Sequence, residues 1–236
     1  MGKNRQKTTT PKQNINLEEF AYKIGRWELG GKGSPTKEMT PEELRYMKEH
    51  EETVEYKDKY GRPINHLFRL DRVTRYNKEG SASIDDVLRE IKVGDKLGDV
   101  LPKDSAQYRS FSDDVEAHYN YVSSHPWESA ILLRTHGNVK KFDPRKYADA
   151  YPGEKEVWVD KSNLKIDNLT RLRGDDVGDD LKKILGVNSM YDVAQTDVLL
   201  IDVSPVGDNS YNERPKIWDN LEQKYRGVHR EEFGDY

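Results

Sequence analysis

Apolar residues in this chain gather in short runs separated by long polar stretches, and the period within each run separates strands from helices. Ala130-Ile131-Leu132-Leu133-Arg134 and the segment from Val198 to Val203 are mostly apolar runs of strand length, the pattern of buried strands. His66-Leu67-Phe68-Arg69-Leu70, after the Gly61-Arg62-Pro63 turn, reads as a short strand carrying an arginine. Tyr108-Arg109-Ser110-Phe111-Ser112 reads as a strand running into a helix at Asp113-Asp114, with Ser110 and Ser112 on one face and Phe111 on the other. A turn over 148–153 becomes a strand at Glu154-Lys155-Glu156-Val157-Trp158-Val159, and Ser162-Asn163-Leu164-Lys165-Ile166 reads as the next strand.

Helix starts are marked by their capping chemistry. Thr40-Pro41-Glu42-Glu43 offers a capping hydroxyl, proline at the first helical position and a glutamate three residues after the cap, so a helix is expected to about Glu52. Ser83-Ile84-Asp85-Asp86 opens another, ending near Val93-Gly94, and Asp143-Pro144 begins a short helical turn. Helical character also runs from Leu17 to Trp27, from Leu181 to Leu185 before Gly186, and from Pro215 to Tyr225 before Gly227. The cluster Gly30-Gly31-Lys32-Gly33-Ser34 lacks the strand and helix of a phosphate loop and reads as a connector.

Composition narrows the class without identifying it. A chain of 236 residues can bury one good core and a smaller appendage. Hydrophobic residues make up 34% and charged residues 35%, and no apolar run approaches the roughly 20 residues that span a bilayer. The amino terminus lacks the apolar stretch of a secretory signal. Zero cysteines exclude disulfides and thiolate zinc sites, and the six histidines are scattered without metal spacing, so no metal is expected. Lys3, Arg5, Lys7 and Lys12, with no acid among them, make residues 1–13 a disordered basic arm. We expect a helical region over 14–60, a catalytic core over 61–173 and an α/β extension packed on it over 174–236, whose Asp175, Asp176, Asp179 and Asp180 read as a solvated face.

Two carboxylates carry the chemical interest. Glu154 and Glu156 stand two apart in a strand, so they share a face about 6 to 7 Å apart. Such a pair can divide a reaction, one acid steadying a developing positive charge while the other positions or deprotonates a nucleophile. On spacing alone, solvated charge at a strand edge is the stronger reading of the pair, and other residues change it.

The order of an arginine on a strand, an S-x-S at a strand end and an E-x-E after a turn resembles the arginine-type mono-ADP-ribosyltransferases, a group that includes bacterial toxins and bacteriophage enzymes. The phrases Val93-Gly94-Asp95 before the serines and Glu154-Lys155-Glu156-Val157 before the next strand add to the likeness, which covers roughly residues 60 to 170. The resemblance implies an α+β fold of two packed, mostly antiparallel sheets forming an NAD cleft, with helices on the amino-terminal side. No G-x-G-x-x-G follows a strand, so a doubly wound dinucleotide fold is disfavoured.

The resemblance also implies roles, with NAD as co-substrate. Arg69 would clamp the pyrophosphate, whose oxygens suit a planar, permanently charged fork. Arg72 is the alternative clamp, and a strand arginine simply paired with Asp71 is the plainer reading of Arg69. Leu70 stands where the family has a small residue beside the nicotinamide amide. Ser110 would bond a ribose oxygen and brace Glu156, while Ser112 either joins the NAD-binding set or caps the helix after it. Glu156 would steady the oxocarbenium-like ribose, and Glu154 would act on the acceptor. Tyr151 would stack on the target, or is a packed loop tyrosine.

The expected partner is a macromolecular target, by resemblance a host protein modified on arginine. RNA or DNA, for which the basic arm is the support, and a non-catalytic or virion-associated binding protein on the same scaffold are the alternatives. Without a secretion signal, action in a bacterial cytoplasm is the expectation.

Overall fold

A computed structural model describes residues 15–28, 39–54, 66–73, 83–101, 107–112, 130–147, 156–174, 177–185 and 197–208. Two helices open the described chain, α1 (Leu17–Glu28) and α2 (Pro41–Glu49). The Asn16 side chain accepts from the backbone N–H groups of Glu18 and Glu19 at 3.1 and 3.2 Å, satisfying donors that the first turn of α1 leaves open. Thr40 does the same for α2 in a full capping box: its hydroxyl accepts from Glu43 N, and the Glu43 carboxylate accepts from Thr40 N at 2.7 Å. Glu43 also receives Lys23 Nζ at 2.9 and 3.0 Å, which ties α1 to α2.

The fold is α+β, with a six-stranded mixed sheet and a two-stranded antiparallel one. The large sheet contains β2 (Phe68–Arg72), β3 (Tyr108–Ser112), β4 (Ala130–Thr135), β6 (Glu156–Asp160), β7 (Leu164–Arg173) and β8 (Asp197–Pro205), in the order β6-β3-β2-β4-β8-β7. Among these strands the β4–β8 pair is parallel and the others are antiparallel. The small sheet joins β1 (Glu52–Thr53) to β5 (Lys140–Lys141). Between the strands lie α3 (Ile84–Glu90), α4 (Leu97–Val100) and α5 (Val177–Leu185).

Register divides the large sheet into two halves. β3 and β6 pair from Tyr108/Asp160 to Ser112/Glu156, and β2 and β4 pair from Phe68/Arg134 to Arg72/Ala130. Between β2 and β3 the single pair among the described residues is Phe68 with Ser112. At this seam the large sheet is held by one residue pair among the described residues, and the two sheets expected from the sequence are this six-stranded one and the β1–β5 sheet. β8, beyond the boundary expected at residue 173, lies between β4 and β7 as part of the sheet.

One face of the sheet carries the main core. Phe111, Val157, Val159, Ile131, Leu133, Leu199 and Ile201 pack there with Ile84 and Val87 of α3 and Leu97 of α4. On the other face, at the β6-β3 end, Tyr108 and Trp158 pack with Phe20 and Ile24 of α1, Met47 of α2 and Phe142. Trp158 is 2% exposed and Phe142 wholly buried, so the amino-terminal helices are anchored on aromatic surface.

Several boundaries differ from the sequence reading, each for a local reason. α2 stops at Glu49, because Glu52 and Thr53 leave the helix to pair with Lys141 and Lys140. Ser162 and Asn163 are not strand: the Asp160 carboxylate accepts from Ser162 N at 3.0 Å and caps a 3-10 turn over Lys161–Asn163, so β7 begins at Leu164. α5 begins four residues earlier than the apolar pattern indicated, at Val177. Ser83 and Asp143 cap as expected, the latter over the 3-10 turn Pro144–Lys146. Gly94 takes φ +95°, a conformation that favours glycine, and its N–H donates to Ile166 O at 2.8 Å, fastening the Val93-Gly94-Asp95 turn to β7. The expected basic arm, the glycine connector, the helix after Ser112 and the helix over 215–225 lie outside the described residues.

Candidate active site

Ser110 and Glu156 are joined directly. Ser110 pairs with Trp158 and Ser112 with Glu156 across β3 and β6, so all four alternate onto one face. On that face the Ser110 hydroxyl donates to Glu156 Oε1, a bond between diagonal neighbours. The acid stands at the first residue of β6, where the strand leaves the segment 148–155, and it keeps partial exposure. Ser112, its register partner, is wholly buried. Behind them Phe111, Val157 and Val159 fill the main core, which fixes the backbone on which the pair is mounted.

Arg69 meets this pair through the main chain. Its Nη1 donates to the carbonyl oxygen of Ser110 at 2.6 Å, across the seam where the β2–β3 ladder has ended. In register Arg69 faces Leu133 and Asp71 faces Ile131, so both belong to the main-core face of β2. Arg69 is thus brought into contact with Ser110, but from the side of the sheet opposite the hydroxyl. The paired geometry that the sequence offered as the plainer reading is also present: Arg69 Nε donates to Asp71 Oδ1 at 2.9 Å.

Asp71 does more than pair with Arg69. Its second oxygen accepts from Arg109 Nη2 at 2.7 Å, so one carboxylate with 1% side-chain exposure holds two guanidinium groups at 13% and 11%. Sequence reasoning did not single out Arg109. The alternation that turns Ser110 toward Glu156 turns Arg109 the other way, yet which strand Arg109 would meet depends on sheet order. Leu70, 8% exposed, lies opposite Leu132, and Arg72 closes β2 opposite Ala130. Glu154 and Tyr151 lie outside the described residues.

Two other polar features stand apart from this pair. A cavity of about 320 Å³ opens at the far end of β6, lined by Lys48, Glu51, Asp160 and Asn163 among others. Asp160 there is already filled with donors, from Lys48, Gln107, Ser162 and Asn163. Beyond the end of β2, buried Asp202 accepts from Arg134 Nε at 2.5 Å and His136 Nε2 at 2.7 Å, while His66 Nδ1 donates to Thr135 O at 2.6 Å. Burial opposes ionisation of Asp202, but Arg134 and His136 hold its carboxyl below the usual carboxylate range. Burial, then the adjacent His136, pushes the His66 imidazole down to about 3. Among the described residues no group of His, Asp and Glu is arranged to hold a metal ion, and no helix is long and apolar enough to cross a membrane.

No protein-family model matches the chain, and no curated protein sequence matches it. Among solved structures it is similar to Plx2a, an ADP-ribosyltransferase toxin from Paenibacillus larvae, at 14% identity and a TM-score of 0.42, over 80% of this chain and 86% of that one. It is similar to an ADP-ribosyltransferase from Clostridium botulinum at 12% identity and a TM-score of 0.35, over 80% of each chain. For the ADP-ribosyltransferase HopU1 of Pseudomonas syringae the identity is 10% and the TM-score 0.31, over 77% of this chain and 64% of that one.

Proposed function

We propose that the protein is a mono-ADP-ribosyltransferase that breaks the bond between nicotinamide and ribose in NAD and transfers ADP-ribose to a macromolecular target. The observation that carries this reading is the hydroxyl of Ser110 bound to the carboxylate of Glu156. Breaking the glycosidic bond sends its electron pair out with neutral nicotinamide and leaves positive charge on the ribose. A carboxylate held in place by a neighbouring hydroxyl meets that charge without reorganising, and in a partly dry setting the attraction is worth more than in water. The acceptor then adds to the anomeric carbon and gives up a proton, completing the transfer.

The remaining roles follow from the same chemistry. Arg69 serves as the pyrophosphate clamp by virtue of its planar charged fork, and because it approaches Ser110 from the main-core side of the sheet, Arg72 is the alternative. Glu154, two residues before Glu156, takes the acceptor's proton or orients its guanidinium, which a carboxylate matches with two parallel bonds. Tyr151 supplies an aromatic face to the target. The target is a protein and the acceptor an arginine.

The test is incubation of the protein and a bacterial lysate with tagged NAD, followed by mass spectrometry of what becomes labelled. Labelled arginine in a small set of proteins supports the whole reading. Label lost on ribonuclease treatment moves the target to RNA. Nicotinamide release with no labelled acceptor reduces the activity to hydrolysis of NAD.

A further inference from the structure

We infer that Asp71 is the positioning residue of this site, fixing Arg69 against β3 by holding Arg69 and Arg109 together on one buried carboxylate; the inference rests on the NAD reading above. Among the described residues the large sheet is well laddered except between β2 and β3, where Phe68 and Ser112 form the single backbone pair. Both strands are paired along their length to their outer neighbours. Among the described residues backbone pairing therefore contributes little between the two halves where Arg69 approaches β3, and what joins them there is side-chain packing of the shared core.

Polar side chains add a directed connection to that packing. Asp71, on β2, accepts from Arg109 Nη2 on β3 at 2.7 Å and from Arg69 Nε on its own strand at 2.9 Å. Arg69 in turn donates to the Ser110 carbonyl at 2.6 Å. The carboxylate thus grips β3 twice, directly at Arg109 and through Arg69 at Ser110, the residue that braces Glu156. Two guanidinium groups drawn to one spot repel each other, and a carboxylate with 1% side-chain exposure between them offsets that repulsion. Because Arg69 is bound through both Nε and Nη1, the plane of its fork is set before any ligand arrives. Preorganisation of that kind is expressed as affinity.

Asp71→Asn keeps the shape and removes the charge. The expected result is a KM for NAD raised about tenfold with kcat changed by less than about twofold, because a clamp that contributes equally to ground and transition states acts on KM. A residue needed only for folding would lower the active fraction, reducing kcat and leaving KM alone. An unchanged KM overturns the inference. Arg109→Gln removes the second tether while leaving the Asp71–Arg69 pair, and is expected to raise KM about threefold; it reads the same claim if Asp71→Asn does not yield folded protein. Asp71→Glu, which restores the charge, should recover part of the loss.

Hydrogen exchange separates failure of this inference from failure of the NAD reading. Asp71→Asn should speed exchange of β2 and β3 amides at the seam relative to β7 and β8, whether or not the protein turns over NAD. Seam exchange equal to that of the parent protein contradicts the positioning role.

Discussion

The Ser110 hydroxyl donates to the Glu156 carboxylate across β3 and β6, and the two residues are diagonal neighbours, Ser110 standing opposite Trp158 and Glu156 opposite Ser112. The donor is held by a strand whose other face is locked into the main core through Phe111. A carboxylate braced in this way loses its orientation when the hydroxyl goes, while the fold keeps its core. Ser110→Ala is therefore expected to lower NAD cleavage about 10- to 100-fold, the usual cost of removing an orienting partner, with thermal stability changed little. Nicotinamide release and a melting curve check both halves.

The position of Arg69 on the main-core face makes the identity of the clamp a direct question for substitution. Arg69→Lys keeps the charge and loses the fork, and is expected to raise the KM for NAD about tenfold, whereas Arg72→Lys should leave it within about twofold. The reverse ranking assigns the clamp to Arg72.

Glu154 and Glu156 divide the reaction in this account. Glu154→Gln should abolish labelling of the target while leaving part of the nicotinamide release, since bond breaking relies on Glu156. Parallel loss of both signals in the Glu154 variant would remove the division of labour.

Acid should weaken the fold through the histidines beyond β2. His66 is pushed down to about 3 from an ordinary 6.5, mainly by burial. The unfolded chain therefore takes up a proton first as pH falls through 6.5, and stability declines from there toward the folded value, by about 1.4 kcal/mol per pH unit for one such group. His136 is shifted in the same direction and adds to the slope. The depressed carboxyl of Asp202 acts at lower pH, where its contribution is lost as it protonates. Urea midpoints measured from pH 7 to pH 4 should fall steadily, and His66→Gln should flatten the decline by about one proton's worth. An equal slope in the variant would exclude His66 as a source.

Local chemistry was the legible part of the sequence. The caps at Thr40, Ser83 and Asp143 need only residues within a few positions, and each forms as the sequence indicates. The strands at Phe68, Tyr108 and Ala130 likewise follow from their own patterns. The Ser110–Glu156 bond was expected because a resemblance supplied the pairing of the two strands, which periodicity cannot do. What remained hidden depends on non-local order. The seam at Phe68 and Ser112 and the meeting of Asp71 with Arg109 both depend on β2 standing next to β3 in the sheet, an order no local pattern encodes. The two-residue strand β1 is too short to carry a pattern, and Asp160 converts an expected strand start into a 3-10 turn by accepting from Ser162 N and Oγ.

Release of nicotinamide from NAD by the parent protein and by Glu156→Gln is the most direct measurement of whether a serine-braced acid breaks the glycosidic bond. We predict steady release by the parent protein and a fall of at least about a hundredfold in the variant, with its melting temperature retained. Release at the parental rate by folded Glu156→Gln would contradict the account.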